Sequence, residues 1–269
     1  MNETISIVTP VYNKAEYIEE TLRSVEAQTC RDWELILVDD GSTDDGVQVI
    51  LRHYGEVPPE ALEGETRYRW ELPGGSRVLL SVLEKNIGAA ASRNAGLKLA
   101  TGRYLAFLDS DDIWQPEKLT RTLAHLRSHH AAFVFTAYEF GDENAKGTGK
   151  IVHVPESLNY RQALSRTVIF TSTVLFDLEK LSKDDIRMPR ISSEDTACWW
   201  TILKKGVIAY GLDENLTIYR RPKGGSLSSN KLHAIHRIWD LYRKREGMGV
   251  LESVRYFVPW AIRATLRRL

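Results

Sequence analysis

Asp109, Asp111 and Asp112 fall within four positions of "YLAFLDSDDIWQP", directly after five residues that read as a buried strand. Two unit charges about 4 Å apart repel by roughly 4 kcal/mol at an effective dielectric near 20, so such a cluster calls for a counterion or for solvent. A hard divalent cation, Mg2+ or Mn2+, is one answer, because it takes carboxylate oxygens and keeps positions open for substrate phosphates. A solvated loop whose aspartates cap the next helix is the other. "VDDGSTDD", with Asp39, Asp40 and Gly41, has the same two readings: turn and cap chemistry, or a carboxylate that binds a base or ribose. "TPVYN" stops a strand at Pro10 and offers Tyr12 as an aromatic wall, while "NIGAAASRNAGL" carries Arg93 either as a surface charge or as a phosphate ligand. In "SSEDTACWW", Glu194 and Asp195 suit the first turn of a helix, with Ser192 and Asp195 resembling a capping box; the competing role is general base. His129 and His130 lack ligand spacing and read as a helix end.

The elements that must carry these groups alternate in period. Residues 5–9, 33–38, 78–83, 104–108 and 132–138 read as strands; helices are expected from Ile18, Leu22 and Val25, from Val47 to Tyr54, over 89–100, and from Pro116 to about Leu126. Near-continuously apolar strands alternating with helices predict a mainly parallel sheet covered on both faces, an α/β fold with ligands beyond the carboxyl ends of the strands. Three polar clusters lie at such ends. Residues 55–75, rich in Pro, Gly and Glu, read as a surface excursion. Past Gly141 the pieces shorten: strands are expected at 151–154, 172–176, 207–210 and 216–220, a helix at 196–205, and a helical tail from Lys231 interrupted at "EGMG" and at Pro259.

The chain has 269 residues, 43% of them hydrophobic, enough for a sizeable core. Thirty-six basic and thirty-six acidic residues cancel, so nothing in the total charge points to nucleic acid. Cys30 and Cys198 form no disulfide framework or metal pair, and a reducing cytoplasm fits them. The first residues lack a basic stretch followed by an apolar one, and no apolar run approaches a membrane span. "KGTGKI" lacks the residues a P-loop needs, and no G-x-G-x-x-G follows the first strand.

In order and spacing, "ISIVTPVYNKAEYIEETLRSVEAQT", "WELILVDDGSTDDG", "NIGAAASRNAGLKLATGRYLAFLDSDDIWQPEKL" and "SSEDTACWW" together resemble glycosyltransferase family 2, inverting enzymes of the GT-A fold. The resemblance implies a nucleotide-sugar-binding half over 1–126, an acceptor-binding half of the same domain over 127–229, and a helical extension over 230–269. It places Thr9, Pro10 and Tyr12 in the first nucleotide loop, Asp40 with its neighbour Asp39 on the base, and Arg93 near the diphosphate. Asp109 and Ser110 would meet the donor, and Asp109 and Asp111 would hold a divalent metal, Mn2+ or Mg2+, with Asp112 behind them or capping a helix. Asp195 would be the catalytic base, supported by Glu194. Many relatives carry a His where "YRRPKGG" has Pro222, so Arg220, Arg221 or Lys223 would supply the positive charge toward the diphosphate.

The implied activity is transfer of one sugar from a nucleotide-diphospho-sugar, a UDP-sugar foremost, to a hydroxyl of a bacterial surface glycan or lipid-linked saccharide; the processive Q-x-x-R-W signature is missing. The alternatives are a sugar-phosphate nucleotidyltransferase, which would show a Gly-rich basic loop at the N-terminus, and a non-catalytic nucleotide-sugar or glycan-binding module. From Lys231 onward nine basic residues face three acidic ones, with Tyr256, Phe257, Trp260, Ile262 and Leu266 interleaved. Such a segment either lies on an anionic membrane surface or packs on the domain, which makes the expected location cytoplasmic or peripheral on the inner face of the cell membrane.

Overall fold

The alternating first half folds as a parallel sheet, β1 (Ile5–Val11) at its centre between β2 (Trp33–Asp39) and β6 (Tyr104–Phe107), with β5 (Arg77–Leu83) beyond β2. The computed structural model describes residues 3–221 and 231–266. Crossovers run through α1 (Ile18–Glu26), α2 (Gly46–Tyr54) and α3 (Ala89–Leu99). Successive side chains of a strand face opposite ways, and here both faces are covered: Ile5 and Ile7 of β1 join one apolar cluster with Leu22 and Leu37, whereas Val8 joins a second with Leu97 and Phe107. Gly96 lets α3 lie close on β1, since a Cβ there would meet Val8 Cγ1 at 2.4 Å.

The sheet continues through the second half. Beyond β6 come β11 (Leu175–Asp177), antiparallel, then β8 (Phe133–Gly141) and β12 (Ala209–Arg220), parallel to each other. Short strands β7 (Ile113–Trp114), β9 (Gly147–Val152) and β10 (Ser157–Leu158) attach to β12 or β8. Helices α4 (Lys118–Ser128), α5 (Tyr160–Leu164) and α6 (Glu194–Lys204) follow their strands, and α7 (Lys231–Asp240), a π-helical turn (Leu241–Arg245) and α8 (Val250–Leu266) close the chain.

Several expectations need correction. The excursion over 55–75 contains a hairpin, β3 (Glu60–Leu62) and β4 (Glu65–Glu71), which extends the sheet antiparallel to β5; Trp70 is buried there and donates to Gly55 O. Its polar composition reflects an edge position. Pro116 precedes α4, whose N-cap is Glu117. The strands expected at 207–210 and 216–220 are one strand with two register shifts along β8. Pro259 lies inside α8, so the tail breaks only near "EGMG". Trp260 packs into the main core with Ile238, Leu241 and Tyr242, which seats the tail on the domain.

One buried cation stands out. Lys118 Nζ donates to Thr173 O at 3.0 Å and Thr122 Oγ1 at 3.3 Å and lies 5.2 Å from the Trp114 ring; burial pushes its pKa down to about 7. An unfolded lysine titrates near ~10.4, so between about pH 7 and pH 10.4 the unfolded chain holds a proton that the folded one has released, and stability rises with pH by about 1.4 kcal/mol for each pH unit of that window. Lys118→Met is expected to flatten the melting temperature against pH over this range, and a profile parallel to that of the unchanged protein would contradict the assignment.

Candidate active site

Parallel pairing sets the two nucleotide-type loops side by side, with Val11 opposite Asp39 at the ends of β1 and β2. Asn13 then joins the loops: its amide donates to Ser42 Oγ at 3.0 Å, and its Oδ1 accepts from the Thr43 amide at 2.8 Å. Asn13 has φ 51, a left-handed value that asparagine tolerates better than most residues. Tyr12 is 46% exposed beside this junction, with Pro10 half-buried. Thr9 Oγ1 and Asp39 Oδ1 are buried without a hydrogen-bond partner among the described residues. Burial pushes the Asp39 carboxyl up, partly offset by its hydrogen bonds with Ser42.

Asp40 is used differently from its neighbour. Its two oxygens accept from the amides of Ile87 and Gly88 at 2.6 and 2.9 Å, fixing the loop into α3, whereas Asp39 Oδ1 has no partner among the described residues. The resemblance gives Asp40 the base-binding role, and in the structure the same carboxylate also braces the loop into α3.

Arg93, on the inner side of α3, is buried between two carboxylates: Nη2 donates to Asp109 Oδ1 at 2.6 Å and Nη1 to Glu194 Oε1 at 2.9 Å. Burial works against its charge, but Asp109, Glu194 and Asp195 outweigh this and raise its pKa. One guanidinium therefore ties the end of β6 to the start of α6. Ser193, the N-cap of α6, has φ 60 and makes no side-chain cap, so the capping box expected from Ser192 and Asp195 is absent. A serine held in this region costs on the order of 1 kcal/mol or more, a strain typical of functional sites. Asp195 accepts from Thr171 Oγ1 at 3.4 Å, and burial, followed by the Glu194 charge, raises its pKa. A carboxylate so perturbed is a candidate general base.

The three acids that follow β6 have separate surroundings. Asp111 pairs with Lys14 at 2.6 Å, and its side chain remains 20% exposed. Ser110 is buried, with its carbonyl accepting from Thr21 Oγ1. Asp112 caps no helix; it is fully buried, accepting from Ser172 Oγ at 2.5 Å and from the Arg220 amide at 3.2 Å. Burial, reinforced by the Asp111 and Asp109 charges, pushes its pKa well up. Ser172 Oγ also accepts from the Asp109 amide at 3.0 Å, so one hydroxyl holds both ends of the turn.

The positive charges expected after β12 are arranged otherwise than the sequence suggested. The Arg220 guanidinium is consumed by the carbonyls of Asp111 and Glu143 and the carboxylate of Glu20, and it lies 4.7 Å from the Tyr17 ring. It braces the acidic turn while also lining the cavity that holds Asp109 and Asp111. Arg221 stacks on Phe140 at 3.7 Å, and Lys223 lies outside the described residues. Sequence reasoning missed Lys14, Ser172 and Glu20. Lys14 stands next to the quoted "TPVYN", but its partner is 97 residues away and leaves no local mark.

Lys14, Arg93, Asp109, Asp111, Glu194 and Asp195 line one cavity of about 620 Å³. Among the described residues no three or more His, Cys, Asp or Glu side chains converge as a complete metal cage. Asp109 and Asp111 offer two partly open carboxylates, hard oxygen donors that leave the remaining positions to phosphate oxygens and water, which is the ligation Mg2+ and Mn2+ prefer. The residues fit such an ion.

Known proteins share this construction. Among solved structures, TarS of S. aureus in complex with UDP-GlcNAc superposes with a TM-score of 0.66 at 20% identity, covering 96% of this chain and 71% of that one. The mannosyltransferase PcManGT of Pyrobaculum calidifontis, in complex with GDP-Man and Mn2+, gives 0.67 at 19% identity over 93% and 66%. Both support the GT-A fold. By sequence, TuaG of Bacillus subtilis (strain 168), named as a candidate teichuronic acid biosynthesis glycosyltransferase, is 39% identical over 266 residues, 98% of this chain and 97% of that protein. The Escherichia coli UDP-Glc:alpha-D-GlcNAc-diphosphoundecaprenol beta-1,3-glucosyltransferase WfgD is 32% identical over 238 residues, 88% and 84% of the two chains. The family model for glycosyl transferase family 2 matches residues 6–177, and the chain belongs to that family.

Proposed function

We propose that this glycosyltransferase moves a single sugar, with inversion, from a UDP-sugar to a hydroxyl of a lipid-linked or growing surface glycan. The observation that carries the reading is the Arg93 bridge, which brings the Asp109–Asp111 turn and the Glu194–Asp195 pair to one cavity. A UDP-sugar donor and a diphosphate-linked acceptor are what the name of WfgD states for that relative, and TarS binds UDP-GlcNAc.

Asp195 accepts the proton of the acceptor hydroxyl as its oxygen bonds to the anomeric carbon; on the opposite side the bond from that carbon to the phosphate oxygen breaks, and the nucleoside diphosphate leaves with the electron pair. Asp109 and Asp111 would hold a divalent cation, which supplies positive charge against the departing diphosphate. Glu194 and Asp109, held by Arg93, keep the base and the donor in register, and Tyr12, Thr9 and Asp39 line the place for the nucleoside. Proximity of this kind supplies much of the rate.

The structure also bears on where the enzyme works. No helix among the described residues is long and apolar enough to cross a membrane. Yet α8 is amphipathic in an unusual sense: Ser253 and Trp260 are buried, while Val250, Leu251, Val254, Val258, Ile262 and Leu266 are exposed beside Arg255. Of the residues that suggested a membrane segment, Tyr256, Phe257 and Trp260 face the domain, while Ile262 and Leu266 belong to the outward aliphatic stripe. An apolar stripe with basic neighbours suits an anionic bilayer surface, and we read α8 as a peripheral anchor.

Melting temperature, transfer rate and vesicle sedimentation test these readings. UDP with Mn2+ should raise the melting temperature, Asp111→Ala should remove the metal-dependent part, and Asp195→Asn should keep the shift while losing roughly 10²–10⁴-fold in transfer rate. Transfer by the unchanged protein should rise with pH as Asp195 ionises, through an apparent pKa above the usual ~3.9; undiminished transfer by Asp195→Asn would place the base elsewhere. In vesicle sedimentation, a Leu251→Glu/Val258→Glu variant should bind anionic liposomes more weakly than the unchanged protein, and equal binding would remove the anchor.

A further inference from the structure

A second cavity, of about 1260 Å³, adjoins the candidate active site and shares Ser193, Glu194 and Arg237 with it. Asp109, Asp111 and Asp195 do not line it; Glu194, next to the candidate base, is the acid the two cavities share. Its walls are the start of α3, the segment 190–194, and α7 with the π-helical turn.

The charges in this cavity do not balance. Of its two carboxylates, Glu194 is paired with Arg93 and Asp240 with Lys244. Arg190, Arg237 and Arg245 remain, and none has an acidic partner among the described residues. Arg237 Nε is moreover shut off from solvent with no hydrogen-bond partner among the described residues, a state that a native protein ordinarily satisfies with a ligand or water. Opposite, α3 begins at Gly88 with no side-chain cap and no acid in its first turn; Ala89, Ala90 and Ala91 keep that end open toward the cavity. Asp40 already takes the amides of Ile87 and Gly88, so part of this positive end is neutralised and the unmatched charge of the cavity lies on the arginines. Guanidiniums without acidic partners lining one cavity form a site for an oxyanion, and planar guanidiniums favour phosphate.

We propose that this cavity is the acceptor's anion subsite, taking a phosphate or diphosphate esterified to the saccharide whose hydroxyl is presented to Asp195. The assignment rests on reading Asp195 as the base. The donor's diphosphate has its own place at Asp109 and Asp111, so a second anion site beyond Glu194 belongs to the other substrate. The volume exceeds what a lone ion fills and accommodates a sugar together with its phosphate.

Calorimetry in the presence of saturating UDP and Mn2+, which fill the donor site, tests this with three probes: farnesyl diphosphate, glucose 1-phosphate and farnesol. Farnesyl diphosphate should bind and farnesol should not; binding of glucose 1-phosphate with equal strength would assign the site to soluble phosphates, and weaker binding to lipid-linked ones. Arg190→Gln/Arg237→Gln should weaken farnesyl diphosphate binding roughly tenfold or more, the loss expected for charge-assisted hydrogen bonds. Arg237→Lys should retain most of the binding, and all variants should keep the UDP–Mn2+ melting shift. Unchanged affinity in the double variant, equal binding of farnesol, or displacement of farnesyl diphosphate by further UDP would each overturn the subsite. Absence of any UDP–Mn2+ shift in the unchanged protein would instead overturn the transferase reading itself.

Discussion

The site depends on Arg93 being buried between Asp109 and Glu194. Four carboxylates, those of Asp109, Asp111, Glu194 and Asp195, line one cavity, and without a fixed cation their repulsion would drive β6 and α6 apart. A buried guanidinium is itself costly to desolvate, so the arrangement holds only while both partners are present; removing either leaves an uncompensated charge. Its position follows from α3 packing closely on β1 at Gly96. A packing detail of the core thus sets the spacing of the chemistry.

A second network keeps the acidic turn in shape. Asp112, fully buried, is joined to Ser172 and to the backbone of β12, and Arg220 closes the turn by holding Glu20 and the carbonyls of Asp111 and Glu143. Consecutive acids consequently have opposite surroundings. Asp111, paired with Lys14, stays partly exposed in the cavity, while Asp112 belongs to the interior. The same division separates Asp39, with its unpartnered oxygen, from Asp40, committed to the loop before α3.

Much of this was legible in the sequence for a physical reason: alternating and helical periodicities are local, so the parallel core, the strand ends and the acidic turn could be placed from neighbouring residues alone. What escaped was set at long range. The pairing of Lys14 with Asp111 and the commitment of Arg220 to Glu20 join residues about a hundred or two hundred positions apart, and no local pattern marks them. The hairpin of β3 and β4 was hidden by the polarity of an edge, α8 accommodates Pro259 within its length, and Ser193 takes a left-handed φ that composition does not announce.

The central claim, that these groups form one inverting transfer site, is tested most directly by the stereochemistry of turnover. Incubating the protein with a panel of nucleotide sugars, a lipid-linked saccharide acceptor and Mn2+, and following the anomeric proton of the product by NMR, should show one donor consumed with its anomeric configuration inverted. Retained configuration would contradict the account, as would the absence of turnover with every donor under conditions where the nucleotide binds.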